Sequence, residues 1–385
     1  MYGIDLTDEQ KMTLDMVRKF TENELEPVAD EIDRTGEFPM RLYKKLGGLG
    51  ILGMRYPEEF GGTAAGKADV LLGTMCNEVM ARASAGFVLS VGASTFLFGN
   101  NVLELGTREQ KEKYLPGIAS GEKVGCWGLT EPEAGSDALG IRTRAVKDGD
   151  CYVLNGQKTF ITNAPIADYF VVLTRTDGKP GEVMGGTAFI LERGDPGLST
   201  GKAFDKMGMR CSPTGEIFLE DARVHKSRML GGEGMGFLGM MHSLDLERAV
   251  AGTINVGIAQ ACLDIVVKYV KERKQFGKPL AKYQLIQEKI ATMYRDIELS
   301  RVYIYHCLNL VEKGKRITAE AGVAKWYATE MATKAALEAI QVLGGYGYMR
   351  EYKVERYMRD AKLLEIGAGT NEIQKLLIAR MILGK

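Results

Sequence analysis

The chain has 385 residues, of which 45% are hydrophobic and 26% charged, a balance typical of soluble globular enzymes. Its 50 Lys and Arg residues match its 50 Asp and Glu residues, and zero net charge argues against non-specific nucleic-acid binding and a polybasic membrane patch. A chain of this length exceeds one small core, so we expect two or three domains.

The cysteine and histidine residues give no sign of a disulfide framework or a metal site. The six cysteines are scattered without a C-x-x-C pair, and the three histidines lack ligand spacing. Scattered cysteines in a chain of this size favour reduced thiols and a cytoplasmic location. We find no basic start followed by an apolar segment and no apolar run of 18 residues, so we expect neither a signal peptide nor a membrane span.

Residues 1–120 are predicted to form an N-terminal α-helical domain. Asp5 or Thr7 can cap a first helix that presents apolar residues on one face. A later helix is apolar on nearly all sides, which favours a buried position. The later helices are predicted over Ala68 to Ala83, Phe87 to Leu105 and Arg108 to Leu115.

Residues 121–232 are predicted to form a middle β-barrel or sandwich, because short apolar runs alternate there with turns rich in Gly, Asp and Pro. The bulky, β-branched and aromatic residues of these runs suit a pleated surface. The strands are predicted over Cys151 to Leu154, Tyr169 to Arg175, Thr187 to Leu191 and Glu216 to Leu219.

Residues 233–385 are predicted to form a C-terminal four-helix bundle, which follows a glycine-rich passage from Gly231 to Gly236. No strand and βαβ unit surround that passage, so it is interpreted as a linker and not as a dinucleotide fingerprint. The fold class is therefore α+β multidomain, with a β domain between two helical domains. The long helices are predicted over Phe237 to Lys274, Tyr283 to Glu312, Thr318 to Leu343 and Glu372 to Leu383.

The stretch from Cys126 to Asp137 carries the most specific pattern in the chain. It begins as a strand and continues as a polar loop, in which Gly135 lets the backbone approach a ligand closely. By spacing alone it could equally be a surface hairpin. Its residues Leu-Thr-Glu-Pro-x-Ala-Gly-Ser-Asp resemble the flavin-binding signature of the acyl-CoA dehydrogenase family. Five further stretches resemble motifs of this family, in family order: 158–163, 272–277, 341–347, 358–362 and 367–372.

The resemblance covers roughly the whole chain and implies the fold, activity and assembly of that family. Such proteins remove a proton from the α-carbon of an acyl-CoA thioester and a hydride from the β-carbon, with FAD as the hydride acceptor. The resemblance further implies electron-transfer flavoprotein as the electron acceptor. It also implies a homo-oligomer, usually a tetramer, in which each flavin contacts two subunits.

The resemblance also implies which residues hold FAD. Contacts near the flavin ring are implied for Trp127, Leu129, Thr130, Gly135, Ser136, Phe160, Ile161 and Thr162. Contacts with the dinucleotide, in part from a neighbouring subunit, are implied for Arg273, Gln275, Phe276, Gln284, Gln341, Gly344, Gly345, Thr370, Asn371 and Glu372. Considered as single residues, Phe160 would instead be a core aromatic of a strand, and Arg273 would be one charge of a solvated run.

The proton acceptor implied by the resemblance is Glu247. Many family members carry Glu two residues before the Thr of the last motif, but this chain has Ala368 there, which cannot accept a proton. Isovaleryl-CoA dehydrogenase-like members carry the base at the position that matches Glu247. As a single residue, Glu247 would be a solvated helix carboxylate. Substrate contacts are implied for Ser136, Asp245, Arg248, Ala368 and Gly369.

The residues around position 368 also bear on the acyl group. Gly367 and Ala368 remove bulk next to the reacting carbons, which favours a short branched or cyclic acyl group. The backbone N–H of Ala368 can still bond the thioester carbonyl. Two alternatives stay open: an acyl-CoA oxidase or nitroalkane-oxidase-like flavoenzyme of the same fold, and a catalytically silent flavin-binding protein.

Overall fold

The computed structural model describes residues 6–64 and 69–384, apart from the side chains of residues 242 and 243. Its first part is helical. Thr7 caps the first helix by accepting the Gln10 N–H at 3.2 Å, whereas the other predicted cap, Asp5, and the predicted helix start at Ala68 lie outside the described residues. Helices α1 to α7 span Asp8–Phe20, Ala29–Thr35, Met40–Gly48, Val70–Ala81, Ala85–Gly92, Gly99–Leu105 and Arg108–Ala119.

The helix predicted over 87–105 is interrupted in the structure, because a π-helical segment, Ala93–Phe98, separates α5 from α6. Within this segment, Ser94 Oγ lies 2.7 Å from Tyr43 Oη and accepts the Gly125 N–H at 2.9 Å. A Cβ on Gly125 would meet the Phe98 ring at 2.5 Å, so only glycine fits there. The segment therefore anchors the start of the middle domain.

An eight-stranded sheet forms the middle of the chain, in the order β6-β7-β3-β2-β4-β5-β8, with β1 parallel to β4. Beneath it, Cys126, Phe170 and Phe189 belong to one buried apolar cluster. The strand predicted over 169–175 agrees with the structure, whereas β3 and β7 are three times longer than predicted. Strands β1 to β8 span Gly125–Gly128, Arg144–Asp148, Cys151–Thr162, Tyr169–Arg175, Gly186–Glu192, Leu198–Thr200, Thr214–His225 and Met229–Leu230.

The last part is a helical domain in which α10 packs against α8, α9, α11 and α12. A short hairpin of β9 (Lys274–Gln275) and β10 (Lys278–Pro279) joins α8 to α9. Helix α11 was not predicted; the other long helices were, to within two residues at each end. Helices α8 to α12 span Gly236–Glu272, Gln284–Glu312, Thr318–Leu343, Val354–Ile366 and Asn371–Leu383. The predicted arrangement of a β domain between two helical domains is confirmed.

Two helical stretches of the described chain are long and apolar enough to cross a membrane: Ala85–Leu105 and Gly236–Glu272. The expectation that the chain has no such apolar run was therefore wrong. In each stretch the most apolar window is mostly buried inside the fold, 72% in the first and 67% in the second. Core helices of soluble proteins pass the same test of length and composition, so these two stretches are weak grounds for a membrane span.

Salt bridges connect the three parts of the chain. Arg301 on α9 donates through Nε to Glu78 Oε1 on α4 at 3.0 Å. Arg359 on α11 pairs with Asp33 at 2.7 Å and donates to the Met207 carbonyl of the middle domain at 3.0 Å. Because Arg301, Glu78, Arg359 and Asp33 are largely buried, these contacts fix the helical domains against each other.

Candidate functional site

The first group of predicted site residues lies where β1 ends and β3 is irregular. The pairing of β3 with β7 shifts register between Lys158 and Ile161, and Phe160 in this bulge has a φ of +56°. The bulge turns the Phe160 side chain outward, 69% exposed, where only Phe204 approaches it among the described aromatic rings, at 5.6 Å. The interpretation of Phe160 as a core aromatic was therefore wrong, because the side chain presents an exposed aromatic face.

A buried ion pair joins the two segments that carry this group. Lys158 is fully buried and donates to Glu131 Oε1 at 2.7 Å and to the Leu129 carbonyl at 3.0 Å. Glu131 also accepts the Arg142 N–H at 2.6 Å and the Thr143 N–H at 2.9 Å. Burial alone would raise the pKa of Glu131, but attraction to Lys158 and these donors holds it below its ordinary value.

A backbone hydrogen bond completes this connection: the Thr159 N–H donates to the Thr130 carbonyl at 2.9 Å. Thr130 and Thr162 are both partly exposed, and so are Trp127 and Leu129. One predicted member differs: Ile161 is buried, because its side chain points into the core of the sheet. Only its backbone can contact a cofactor. Gly135 and Ser136 lie on the exposed part of the same loop.

The second group surrounds Glu247 on α8. The residue is partly exposed, but its Oε2 atom is buried and has no hydrogen-bond partner among the described residues. Burial raises the pKa of Glu247 to about 7, against the opposing pull of the Arg248 guanidinium. The interpretation as a solvated helix carboxylate was therefore wrong. A carboxylate with an unpaired buried oxygen and a pKa near neutrality suits a proton acceptor.

The charged neighbours of Glu247 are themselves fixed. Asp245 accepts a hydrogen bond from Arg248 Nη1 at 3.1 Å and another from the Thr318 hydroxyl of α10. Both charged side chains are about seven-eighths buried, and Arg248 Nε has no partner among the described residues. Asp245 therefore orients Arg248 while leaving one of its donors free for a ligand.

The loop between α11 and α12 is linked to this group through Lys325, which donates to the Gly369 carbonyl and is repelled by Arg248. Ala368 has a φ of +54° and Gly369 a φ of +81°, so two successive residues adopt the left-handed conformation. The Gly367 N–H donates to the Leu363 carbonyl at 2.9 Å, and the Ala368 N–H has no acceptor among the described residues. A free N–H on a fixed loop is a suitable donor to a carbonyl oxygen.

The third group lies at the other end of the bundle. Arg273, Gln275, Gly344 and Gly345 line one cleft of about 500 Å³. The Arg273 guanidinium lies 5.5 Å from the centre of the Tyr346 ring, a cation–π contact that holds it over the cleft. Arg273 is exposed, as expected for one charge of a solvated run, and it also shares a cleft with the predicted glycines.

Three other predicted dinucleotide contacts are exposed near this cleft: Phe276, Gln284 and Gln341. Phe276 is 94% exposed at a φ of +50°, an unusual position for an apolar ring. Because these three side chains are exposed on the described chain, they are available to contact another molecule.

The residues at the start of α12 already form hydrogen bonds within the chain. Thr370 caps the helix by accepting the Ile373 N–H at 3.3 Å, and the Glu372 carboxylate accepts its own backbone N–H and a hydrogen bond with Thr370, which lower its pKa. Asn371 is buried and donates to the Thr329 hydroxyl at 3.1 Å. Thr370 and Asn371, two of the implied dinucleotide contacts, thus already have partners within the chain.

Helix α8 separates the second group from the third. Glu247 and the helix end at Glu272 are 25 residues apart, which is about 38 Å at 1.5 Å per residue. Arg273, directly after that end, therefore lies far from Glu247 of the same chain. One chain does not bring all predicted cofactor contacts together.

The first and second groups fit a flavin. Trp127, Leu129 and Leu244, which precedes Glu247 on α8, pack against the same buried cluster, so the ring-side loop and the base helix are neighbours. Phe160 offers an exposed aromatic face, and Thr130 and Thr162 offer polar groups beside it. Among the described residues, no three His, Cys, Asp or Glu side chains form a metal-binding group.

Sequence analysis assigned no role to three polar residues of the site. Glu131 and Lys158 lie within the recognised motifs, and Lys325 lies outside them. Lys325 is fully buried on α10 and donates to the Gly369 carbonyl at 2.7 Å. A signal for Lys325 was available, since it shares the face of Ala321, Ala328 and Ala332 at helical spacing. A lysine on a buried alanine face requires a partner.

Comparisons with known families agree with this architecture along the chain. The model for the acyl-CoA dehydrogenase N-terminal domain matches residues 7–122. The model for the middle domain matches residues 126–222, and the model for the C-terminal domain matches residues 234–383. Together the three matches cover most of the chain in a single order.

Full-length relatives and solved structures agree. The probable acyl-CoA dehydrogenase YngJ of Bacillus subtilis is 45% identical over 99% of this chain and 100% of its own. Mitochondrial isovaleryl-CoA dehydrogenase of Solanum tuberosum is 44% identical over 97% of this chain and 90% of its own. Butyryl-CoA dehydrogenase of Megasphaera elsdenii has a TM-score of 0.95 at 42% identity, covering 99% of each chain.

A solved structure of the electron transferring flavoprotein of Acidaminococcus fermentans is also similar to this chain. It matches with a TM-score of 0.95 at 41% identity, over 99% of this chain and 100% of the matched chain. The three family models, the full-length relative YngJ and the solved butyryl-CoA dehydrogenase thus all indicate an acyl-CoA dehydrogenase over nearly the whole chain. The chain belongs to the acyl-CoA dehydrogenase family and is an FAD-dependent oxidoreductase that dehydrogenates acyl-CoA.

Proposed function

We propose that Glu247 is the base of this dehydrogenation and that the substrate is a short branched or cyclic acyl-CoA, as in an isovaleryl-CoA dehydrogenase-like enzyme. The observation that carries the proposal is the buried, unpaired Oε2 of Glu247, together with the absence of any proton acceptor at Ala368. The 44% identity to isovaleryl-CoA dehydrogenase supports the subgroup.

The residues around the site have separate roles in the proposed reaction. The Ala368 N–H binds the thioester oxygen and so favours the negative charge that develops there as the α-proton leaves. Glu247 accepts that proton, and its low-dielectric surroundings bring its pKa toward that task. Bound FAD supplies the hydride acceptor, since no side chain can take a hydride. Phe160 and Thr162 hold that acceptor's ring at the β-carbon, and Ser136 contacts the pantetheine arm.

The reaction should respond to pH through Glu247. A base works only when ionised, so kcat/KM is expected to rise as the pH is raised through about 7. Roughly one tenth of Glu247 is ionised one unit below that value and roughly nine tenths one unit above it. Stopped-flow reduction of the flavin at substrate concentrations below KM, between pH 5.5 and 9, measures this profile. A rate that falls through the same range would contradict the assignment of the base.

The acyl group is tested by anaerobic bleaching of the flavin with a series of acyl-CoAs. Isovaleryl-, isobutyryl- and cyclohexanecarbonyl-CoA are expected to bleach it at least about tenfold faster than octanoyl-CoA, because one poorly accommodated methylene costs about 1–3 kcal/mol. Butyryl-CoA is the matched short, straight control. If only straight medium chains reduce the flavin, the branched or cyclic assignment is wrong.

The same experiment separates the two other candidate functions. An oxidase or nitroalkane-oxidase-like enzyme would consume oxygen stoichiometrically with substrate, so oxygen uptake in air is measured beside bleaching. A silent flavin-binding protein, which Ala368 alone would suggest, would not bleach with any acyl-CoA. The buried Glu247 favours an active enzyme over that reading.

The electron acceptor is proposed to be electron-transfer flavoprotein in the cytoplasm. The similarity of this chain to the solved structure of the electron transferring flavoprotein of Acidaminococcus fermentans supports this partner. Transfer is measured as reduction of purified electron-transfer flavoprotein by the substrate-reduced enzyme. Reduction of artificial dyes alone would contradict the proposal.

We also propose a homo-tetramer, or at least a dimer, that completes each flavin site. The distance of about 38 Å along α8 and the exposed Phe276 support it, because the cleft of Arg273 has no base nearby. Large apolar side chains are also exposed along the C-terminal helices, which favours a subunit interface. They include Leu285, Tyr294, Leu299, Tyr348, Leu376 and Ile382.

Arg273→Met is therefore expected to lower FAD content while the oligomer persists, because the variant loses a cation that reaches a neighbour's dinucleotide. FAD per subunit, read from absorbance after gel filtration, is expected to fall at least about tenfold at limiting FAD, as for a lost charge-assisted pair. Arg108→Met, which removes an exposed arginine far from the cleft, is the control. A monomer with full FAD occupancy would contradict this proposal.

A further inference from the structure

The loop that presents the Ala368 N–H is held from its other side. Gln374 Nε2 donates to the Ala368 carbonyl at 3.3 Å and to the Gly369 carbonyl at 3.0 Å. Lys325 Nζ donates to the same Gly369 carbonyl at 2.7 Å. Two side chains from different helices, α10 and α12, thus bind two successive carbonyls of one strained loop.

Both donors are unusually placed for their residue types. Lys325 and Gln374 are fully buried, and lysine is rarely buried unless it is paired. Lys325 finds a second acceptor in Asn371 Oδ1 at 3.0 Å. Burial, with repulsion from Arg248, lowers the pKa of Lys325 to about 8. Burying an amine this way is costly, which argues that the contact serves more than packing.

The geometry explains what the carbonyl contacts do. The peptide bond is planar and trans, so a fixed carbonyl fixes the N–H on the opposite side of the same plane. The N–H groups fixed in this way are those of Gly369 and Thr370, which follow the two bound carbonyls. The Ala368 N–H belongs to the preceding peptide plane, so its direction relative to the bound Ala368 carbonyl depends on the dihedral angles of Ala368 itself. The contacts maintain the left-handed φ of Ala368, which a non-glycine residue keeps only when its surroundings enforce it, and through that conformation they orient the Ala368 N–H.

We propose that Lys325 and Gln374 are positioning residues, which clamp the carbonyls of Ala368 and Gly369 and thereby hold the Ala368 N–H on the thioester oxygen of the substrate. The inference rests on the proposed function. It adds that polarisation of the carbonyl depends on side chains that never touch the substrate.

Two variants test the clamp: Lys325→Met, which keeps the length of the side chain without its donors, and Gln374→Met. Losing an oxyanion donor costs about 10²–10³-fold, and a displaced donor should cost part of that. Flavin reduction is expected to slow about 10- to 100-fold at saturating substrate in each variant, with FAD content retained. Lys206→Met, which removes a partly buried lysine that donates to the Ser212 carbonyl, is the control.

A second measurement separates positioning from simple loss of structure. The carbonyl stretch of a bound enoyl-CoA product, read by Raman difference spectroscopy, is expected to move toward its value in free solution in both variants and not in Lys206→Met. This shift does not depend on turnover. A destabilised but correctly arranged loop would leave the stretch unchanged.

The outcomes distinguish the inference from the function beneath it. If the parent is bleached by acyl-CoA but both variants keep its reduction rate within twofold and its carbonyl stretch, only the clamp is wrong. The clamp is also wrong if the reduction rate of each variant falls only in proportion to the FAD that the variant has lost. If no acyl-CoA bleaches the parent, both the proposed function and the clamp fail.

Discussion

Glu247→Gln is expected to reduce its flavin at least about 100-fold more slowly than the parent on mixing with acyl-CoA, while it binds FAD and substrate almost normally. Glutamine keeps the volume and the hydrogen-bonding capacity of the side chain but cannot accept a proton at neutral pH. A general base contributes about 10²–10⁴-fold, and Ala368 offers no replacement carboxylate. Stopped-flow absorbance measures the rate, and the spectrum of the bound flavin measures binding.

Glu365→Gln is the matched control, because Glu365 lies three residues from Ala368 and its carboxylate is already bonded to Thr333 and Lys362. It should keep the parental rate within about threefold. Adding Ala368→Glu to Glu247→Gln tests whether a carboxylate at the other family position restores part of the rate. Overpacking of the acyl pocket by the longer side chain could limit that rescue. A full rate in Glu247→Gln would direct the search to Asp245.

Lys158→Met is expected to destabilise the protein by about 3–5 kcal/mol, because it leaves the buried Glu131 carboxylate without its cation. The pair is almost entirely enclosed, with Lys158 fully buried and Glu131 only 7% exposed. The same change should loosen FAD, since Lys158 also holds the Leu129 carbonyl. Denaturant unfolding and FAD content measure the two effects.

The control for this change is Arg223→Met. Arg223 pairs with Asp148, but both side chains are more than half exposed, and exposed pairs contribute about 0–1 kcal/mol. Glu131→Gln tests the same pair from the other side. The amide oxygen can still accept the Thr143 N–H, but the NH2 group that replaces the second oxygen cannot accept the Arg142 N–H, so this variant should destabilise the protein as well. Equal and small effects in both Lys158→Met and Arg223→Met would show that the pair is not a structural clamp.

Helical periodicity located the C-terminal helices well, and the helix predicted over 318–343 has the same ends as α10. It missed α11, because the buried charges Arg356 and Asp360 interrupt its apolar face. The strand predicted at β3 ends too early, at Leu154, because the next residues, Asn155 and Gly156, are typical of turns. Pairing with β7 keeps them in a strand, and a partner so distant in sequence has no local signal.

The residue types of the site were largely visible in the sequence, but their environments were not. Glu247 and Arg273 stood in motifs, yet whether a carboxylate is buried or a guanidinium lies over a ring depends on chains far away in sequence. The exposure of Phe160 depends on a bulge, which only the pairing of two strands defines. Likewise, the role of Lys158 depends on its ion pair with Glu131, which lies 27 residues earlier in the sequence.

The length of α8 has a consequence for thermodynamics. Glu247 and the cleft of Arg273 lie at opposite ends of one helix, so in the oligomer proposed above a dinucleotide that reaches both would join two chains. Such a ligand is also a cross-link, and linkage requires that each equilibrium shift the other by the same factor. Dilution would then release FAD, and saturating FAD would tighten subunit association. Cofactor supply in the cell would thus set how much of the enzyme is assembled.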